Sequence, residues 1–600
     1  MTTRPLLASC RASALGLFSL ALVGCGTAAP AAPAATPAAT PPPPAPPSPA
    51  AVLAEPQFAA PSTARAALVG SVVTVAPSRI VGDLDALSGR LELPMMLGRE
   101  LLSSLGGLGI LGDSAHFKKV WEQIDPASAI AVVWVLAPKS QIKGFCAALT
   151  FRDAAAARRT FDEMGVPGAQ RSGVSERRTP DGDAIWGGVK GRTLFVSGSA
   201  ESLLLAGGLA ESTQVTPEAG QMVITVLPQV LAEASGKSRE AIVAEAAALL
   251  ANEAQSGRGP ATPASQRMVA AIMEAGAKLA LDSSVVRVVL EVGPKDGLFA
   301  QAELVPMVGT DFATRTARRS PYAFDARLPV RDDSTAVVAM GSPSALLSSL
   351  AKVFESSGPA GQSMWREVQK MFNATGEWSC VVDQAEVGFS SLCSTPLLPG
   401  TTPKAGLDAA LAMSKAQQAW EAELYGQKLS PLKVKRSRTV VELEKKIETR
   451  DATARAVAKA FAGGDTVRTA FTVKDDRLLQ ATGREARKML SRYGAEGGMK
   501  GAPLAAAALA RTKGAEGVVS VDVVSMVLRA LVKGKDLPGN QLAQVAAALP
   551  GMMEMKSPFL FTLRGGNSLA GDFRIPLGSL ENVAKVVRGM LGPAGAGQSP

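Results

Sequence analysis

The alternation of apolar and polar positions is clearest near the end of the chain. Gly517–Asp522 (GVVSVD) has the pattern of a strand, and Val523–Lys533 and Asn540–Leu549 have the helical period. Phe559–Arg564 and Ser568–Ile575 then read as strands facing each other across Gly565-Gly566-Asn567. Glycine and asparagine make such a turn because both accept positive φ. Pro576 ends the second strand, and Ser579–Met590 places Leu580, Val583, Val586, Val587 and Met590 at helical spacing. The pattern predicts strand, helices, hairpin and closing helix, in that order.

The same order recurs. A first unit over about 68–165 has a strand at Ser71–Val75, helical pieces at Asp83–Leu91, Glu100–Leu105 and Ala115–Ile124, and a hairpin of Ala129–Leu136 with Gly144–Phe151. Asp153–Met164 closes it. A second, over about 220–317, has Met222–Leu227, helices Ser238–Glu253 and Ser265–Lys278, a hairpin of Val285–Val292 with Leu298–Val305, and a short helix at Thr310–Thr316. The third, over about 335–424, has Thr335–Met340, helices Ser344–Phe354 and Gln362–Met371, a hairpin within Glu377–Cys393, and the long helix Ala405–Leu424.

The connectors repeat as well. Ile185–Val189 and Thr193–Ser197 flank Lys190-Gly191-Arg192, and Thr469–Lys474 and Arg477–Thr482 flank Asp475-Asp476; a helix follows each pair. Periods near 100 residues are too long for a solenoid. They predict an α+β fold of duplicated strand–helices–hairpin–helix units, with antiparallel sheets packed by helices. The expected division is a first half, 66–325, and a second, 326–600, each folding separately.

Ahead of this body the pattern changes. Arg4 and Arg11 form a basic start and Ala12–Val23 a short apolar run, ending in Leu22-Val23-Gly24-Cys25. The run is shorter than the roughly 20 residues a membrane span requires. Residues 1–26 resemble the signal and lipobox of bacterial lipoproteins. That resemblance implies cleavage after residue 24, a diacylglycerol and an amide-linked acyl chain such as palmitate on Cys25, and location in the cell envelope. Gly26 stands where a retention aspartate would hold such proteins on the inner membrane, so the outer membrane is favoured. Residues 27–65 are rich in Ala and Pro, with Pro41–Pro44 uninterrupted. They read as an extended tether with a reach on the order of 120 Å at ~3.1 Å per residue. The layout of the body also resembles that of large uncharacterised envelope lipoproteins with duplicated α+β halves, a likeness that carries over no functional residue.

Composition narrows the chemistry. The chain is 47% hydrophobic but only 4% aromatic, so its core is expected to be Ala, Val, Leu and Met. Its formal charge of +10 over 600 residues is a weak pointer to acidic partners. His116 is the single histidine, which excludes Ser-His-Asp, Cys-His and multi-histidine metal sites within one chain. It reads as a solvated residue at a helix start. Gly107–Gly112 matches G-x-G-x-x-G but follows a helical run rather than a strand, so it reads as a helix–helix joint. Gly236-Lys237-Ser238 lacks the first P-loop glycine, Leu231 standing there, and Ser238 reads as a helix cap. Ser140–Lys143 and Ser430–Lys433 match S-x-x-K without the accompanying S-D-N and K-T-G motifs. No catalytic residue, metal or cofactor is assigned, beyond the covalent lipid on Cys25; a pair of carboxylates converging in the fold stays open.

Lys433–Arg438 (KVKRSR) reads as a solvated edge strand, or as a contact for anionic headgroups or cell-wall polymer. Nucleic acid is not an expected partner, given so few aromatics for stacking. Once Cys10 leaves with the signal and Cys25 is acylated, Cys146, Cys380 and Cys393 remain. Cys146 lies in an apolar strand and reads as a buried thiol. Cys380 and Cys393 lie on two arms of one hairpin and form a candidate disulfide if Val381 opposes Leu392 and Val382 opposes Ser391; a tight turn at Gln384 would instead separate the sulfurs. Two functions fit: a membrane-anchored, non-enzymatic envelope lipoprotein acting as an interaction or structural module, or a periplasmic carrier or chaperone for an apolar ligand such as lipid or lipoprotein. Candidate partners are accordingly the membrane, envelope proteins, cell-wall polymer or that apolar ligand.

Overall fold

The computed structural model describes residues 55–92, 96–98, 114–136, 143–179, 182–215, 221–245, 248, 262–318, 320–331, 334–341, 351–384, 388–426, 431–447, 459, 462–495, 509–510, 512–522 and 558–591. By their contacts the described residues form two compact units, one within 55–80 and 114–238, the other within 81–98 and 239–591.

In the first unit eight strands form one antiparallel ladder. They are β1 Leu68–Thr74, β2 Ile130–Leu136, β3 Lys143–Thr150, β4 Val166–Arg171, β5 Val174–Arg178, β6 Ala184–Lys190, β7 Thr193–Ser197 and β8 Met222–Val226. Their spatial order is β8-β1-β2-β3-β7-β6-β5-β4. Helices α1 Pro61–Ala66, α3 Ser114–Gln123, α4 Ala154–Glu163, α5 Ala200–Val215 and α6 Pro228–Ser235 punctuate it, while all but the first turn of α2 Pro77–Arg90 belongs to the second unit. Because strand side chains alternate faces, each face acquires its own apolar layer. On one, Ala156, Ala157 and Phe161 of α4 and Val120 of α3 pack on Ala147, Leu149, Leu194 and Val196. On the other, Leu203, Ala206 and Ala210 of α5 and Ala64 of α1 pack on Val133, Val135, Cys146, Ala148 and Phe195.

The second unit repeats this ladder and extends it. Its elements are α7 Pro263–Leu281, β9 Ser283–Gly293, β10 Gly297–Pro306, α8 Asp311–Ala317, β11 Ala336–Met340, α9 Pro359–Ala374, β12 Trp378–Gln384, β13 Phe389–Pro396, α10 Pro403–Tyr425 and β14 Lys433–Arg436. There follow β15 Val440–Lys446, β16 Thr466–Lys474, β17 Arg477–Thr482, α11 Ala486–Ser491, β18 Gly517–Asp522, β19 Pro558–Arg564, β20 Leu569–Pro576 and α12 Leu577–Leu591. The order is β9-β10-β20-β19-β18-β11-β12-β13-β17-β16-β15-β14. From β18 to β14 it matches β8 to β4 strand for strand. Helices α7 and α10 both begin at Thr-Pro, the threonine hydroxyl accepting a backbone N–H and the proline standing where no donor is lost.

The repetition extends to single hydrogen bonds. Phe151 N–H donates to Arg192 O (2.9 Å), and Leu397 N–H to Asp476 O (2.8 Å), at the same corner of each ladder. Asp125 to Thr150 corresponds to Gly376 to Pro396, Val75 to Gln221 to Gly341 to Glu516, and Leu227 to Val69 to Asp522 to Thr335. The isolated bridges Ile124↔Phe151 and Thr375↔Leu397 match too. Such agreement in register, with few residues shared, establishes the duplication predicted from the sequence.

Three features differ from expectation. Residues 55–65, assigned to the tether, belong to the first unit: Ala64 of α1 is fully buried, and Phe58 packs against the same layer. The strand pairs taken as connectors sit inside the ladders, β7 on β3 and β17 on β13. The compact units do not divide at 325/326, because residues 239–325 group with 326–600, and β10 pairs with β20 from Gly297↔Pro576 to Leu304↔Leu569. Among the described residues no helix is long and apolar enough to cross a membrane.

Candidate functional site

A buried polar cluster gathers against the β12/β13 hairpin. There Val381 opposes Leu392, Val382 opposes Ser391 and Cys380 opposes Cys393. The two sulfurs are joined, with Cα atoms 4.0 Å apart, the close spacing of a pair that exchanges no backbone hydrogen bonds. Both cysteines are buried, while Cys146 is a buried free thiol whose pKa desolvation pushes up.

One rung along, Ser379 opposes Ser394, and both point to the opposite face from the disulfide. They meet Asp325, from the segment ahead of β11. Its Oδ2 accepts from Ser394 Oγ (2.6 Å) and Tyr493 Oη (2.6 Å), and Arg477 Nε lies 2.8 Å away. Its Oδ1 accepts from Arg327 N–H (3.1 Å) and Nε (3.2 Å), while Asp325 N–H donates to Ser379 Oγ (3.1 Å). Tyr493, fully buried after α11, has the Arg327 guanidinium 5.0 Å from its ring centre and Lys474 Nζ 5.6 Å away.

The electrostatics follow from these partners. Burial opposes the charge on Asp325, yet the bonds from Ser394, Tyr493 and Arg327, with the Arg477 charge, hold its pKa down to about 2. Burial first, and then the bond to Asp325, pushes Tyr493 up to about 12. Both groups are moved away from neutrality, the reverse of what proton transfer near pH 7 demands. Every oxygen of Asp325 is engaged by a donor of the chain itself. The cluster ties together five distant segments and acts as a polar pin within an apolar layer.

The basic run is an edge strand: β14 is the last of its ladder and all four residues are exposed. Its cations face acids, Arg436 Nη2 lying 2.9 Å from Asp408 and Lys433 Nζ 3.8 Å from Glu444. That pairing weakens its reading as an anion-binding patch. Gly236 caps α6 in a left-handed conformation, φ 62°, so Gly236-Lys237-Ser238 is a helix end. His116 falls in α3. Cys25, the tether before residue 55, Gly107–Gly112 and Ser140–Ile142 lie outside the described residues. Among the described residues no group of three or more His, Cys, Asp or Glu could hold a metal ion.

Sequence reasoning found the two cysteines and missed the pin. Asp325, Ser379, Ser394, Arg477 and Tyr493 share no local pattern; the buried tyrosine, one of 3 in the chain, was the available signal. No family model matches this chain, and neither a curated protein nor a solved structure does.

Proposed function

We propose that the chain is a membrane-anchored, non-enzymatic lipoprotein of the bacterial envelope, acting as an interaction or structural module held away from the lipid by its tether. The observation that carries this reading is the run Leu22-Val23-Gly24-Cys25 after a short apolar segment, followed by an Ala/Pro-rich stretch. The described fold supports it in two ways. Among the described residues, the carboxylate held down to about 2, Asp325, is spent on holding segments together. The second unit also exposes apolar aromatics on one sheet face, where Phe561 and Phe573, opposed on β19 and β20, are 43% and 39% exposed. An exposed apolar patch favours docking over an enclosed ligand, so the carrier is the second reading.

The test is fractionation. Wild type is expected in the detergent-soluble membrane fraction with acyl mass on Cys25, and Cys25→Ser in the periplasm or medium. A mutant that stays with membranes, beside a wild type without acyl mass, would sink the anchoring. Crosslinking of the anchored protein then separates the module from the carrier: protein adducts support the first, co-purifying lipid the second.

A further inference from the structure

Each compact unit carries a strap across the corresponding face of its ladder. In the first, Gln57 N–H donates to Ser172 O (3.3 Å) and Ala59 N–H to Leu204 O (2.8 Å). Phe58 lies between them with its ring 4.6 Å from that of Phe195. Its seat exists because glycines leave it open: a Cβ at Gly207 would strike the Phe58 ring, one at Gly208 the Ala59 carbonyl, and one at Gly188 the ring of Pro56. In the second, Phe324 packs on the corresponding layer. Phe58 and Phe324 stand equally far before Val69 and Thr335, which occupy matching places in the two ladders.

The locks differ. The residue after Phe324 is Asp325, held by Ser394, Tyr493, Arg477 and Arg327, and the strap is pinned again by Tyr322, whose hydroxyl lies 2.6 Å from Thr512 Oγ1. The residue after Phe58 is Ala59, whose methyl group offers no hydrogen-bonding atom to be pinned. The first strap is thus held by one half-buried ring, the buried Pro56 and two backbone bonds, directly behind the Ala/Pro-rich run.

We infer that residues 55–60 are a releasable clasp at the point where the tether joins the body, whereas residues 320–330 are the permanently locked version of the same strap. Opening frees the clasp up to the start of α1 and lengthens the tether by on the order of 20 Å at ~3.1 Å per residue. Only this gain in reach rests on the proposed anchoring; the clasp itself does not.

Hydrogen exchange on the full-length chain in detergent tests it. The Gln57 and Ala59 amides are expected to exchange at least ~100-fold faster than Val72 and Val133 of β1 and β2, at a rate that low urea leaves unchanged, as for local opening. Asp325 N–H is expected to exchange with the amides of β12. Phe58→Ala should speed exchange at 57 and 59 further and leave β1 and β2 protected. The clasp is refuted if, in the wild type, Gln57 and Ala59 exchange only as slowly as β1. It is refuted too if Phe58→Ala strips protection from β1 and β2, since the ring is then core. Loss of acylation would leave either result standing.

Discussion

Asp325 and Tyr493 set opposite limits on the pH range of the second unit. The acid's pKa is depressed on folding, to about 2, so its contribution is present above the unfolded value near 3.8 and is lost as pH falls through 2. Tyr493 is raised to about 12, so its contribution is complete below pH 10 and disappears as pH rises through 12. A plateau between roughly pH 4 and 10 is expected, with both flanks falling. Asp325→Asn should lower the plateau by about 3 kcal/mol, because Arg477 is left buried without its counter-charge, and should flatten the acid flank. Tyr493→Phe should cost about 1.5–3 kcal/mol, the loss of a hydrogen bond to a charged group, and remove the alkaline flank. Urea melts at stepped pH check both; an acid flank unchanged in Asp325→Asn would place the titrating group elsewhere. None of this was legible beforehand. A pin built from five segments has no period or spacing, and its members became neighbours only once the ladder order was known.

At the scale of elements far more could be read. The hairpins β2/β3, β9/β10, β12/β13 and β19/β20 were all visible, because each pairs two apolar runs across a turn whose residues announce it. The pairs β4/β5 and β14/β15 were weaker signals. Every residue of β4 and β14 is exposed, so no alternation marks them, and Pro167 and the cations of β14 blunt these edges. The duplication also assigns a counterpart to the disulfide. Val132 and Ala147 oppose each other on β2 and β3 as Cys380 and Cys393 do on β12 and β13. Val132→Cys with Ala147→Cys is therefore expected to close a second bridge without reshaping the hairpin, leaving Cys146 the one thiol within residues 55–600 that alkylates after unfolding. Stabilisation of the first unit by about 2–3 kcal/mol should follow. Removing the native bridge, by Cys380→Ser with Cys393→Ser, should cost a similar ~2–3 kcal/mol, since the loop it closes is short. Three reactive thiols in the first variant would mean that the two hairpins differ in stagger.

For the whole molecule, duplication and independence turn out to be separate properties. Apolar periodicity showed two copies of one plan and therefore predicted two halves that fold alone. The final strands of the hairpins alter that expectation, because β10 of the first half and β20 of the second pair along eight opposed positions. Cutting the chain at 317/318 breaks this ladder and leaves each half with a naked strand, β10 carrying Leu298 and Leu304 and β20 carrying Leu569 and Phe573. Unpaired apolar edges recruit one another. The two strands are also counterparts in the repeat and already meet antiparallel, so a lone half can offer its final strand to a second copy of itself. Residues 55–317 and 318–600 expressed separately, a cut that leaves Asp325 with Ser394, Tyr493 and Arg477, should each self-associate, and co-expression should yield one soluble complex of equal stoichiometry. Light scattering of the halves, alone and together, decides between the two pictures. Monomeric halves that melt cooperatively and ignore each other would show that β10 and β20 touch without depending on the contact. A charge placed at the centre of the ladder, Ala300→Glu, should then weaken the complex of halves without unfolding the intact chain, where connectivity keeps the strands together at high effective concentration.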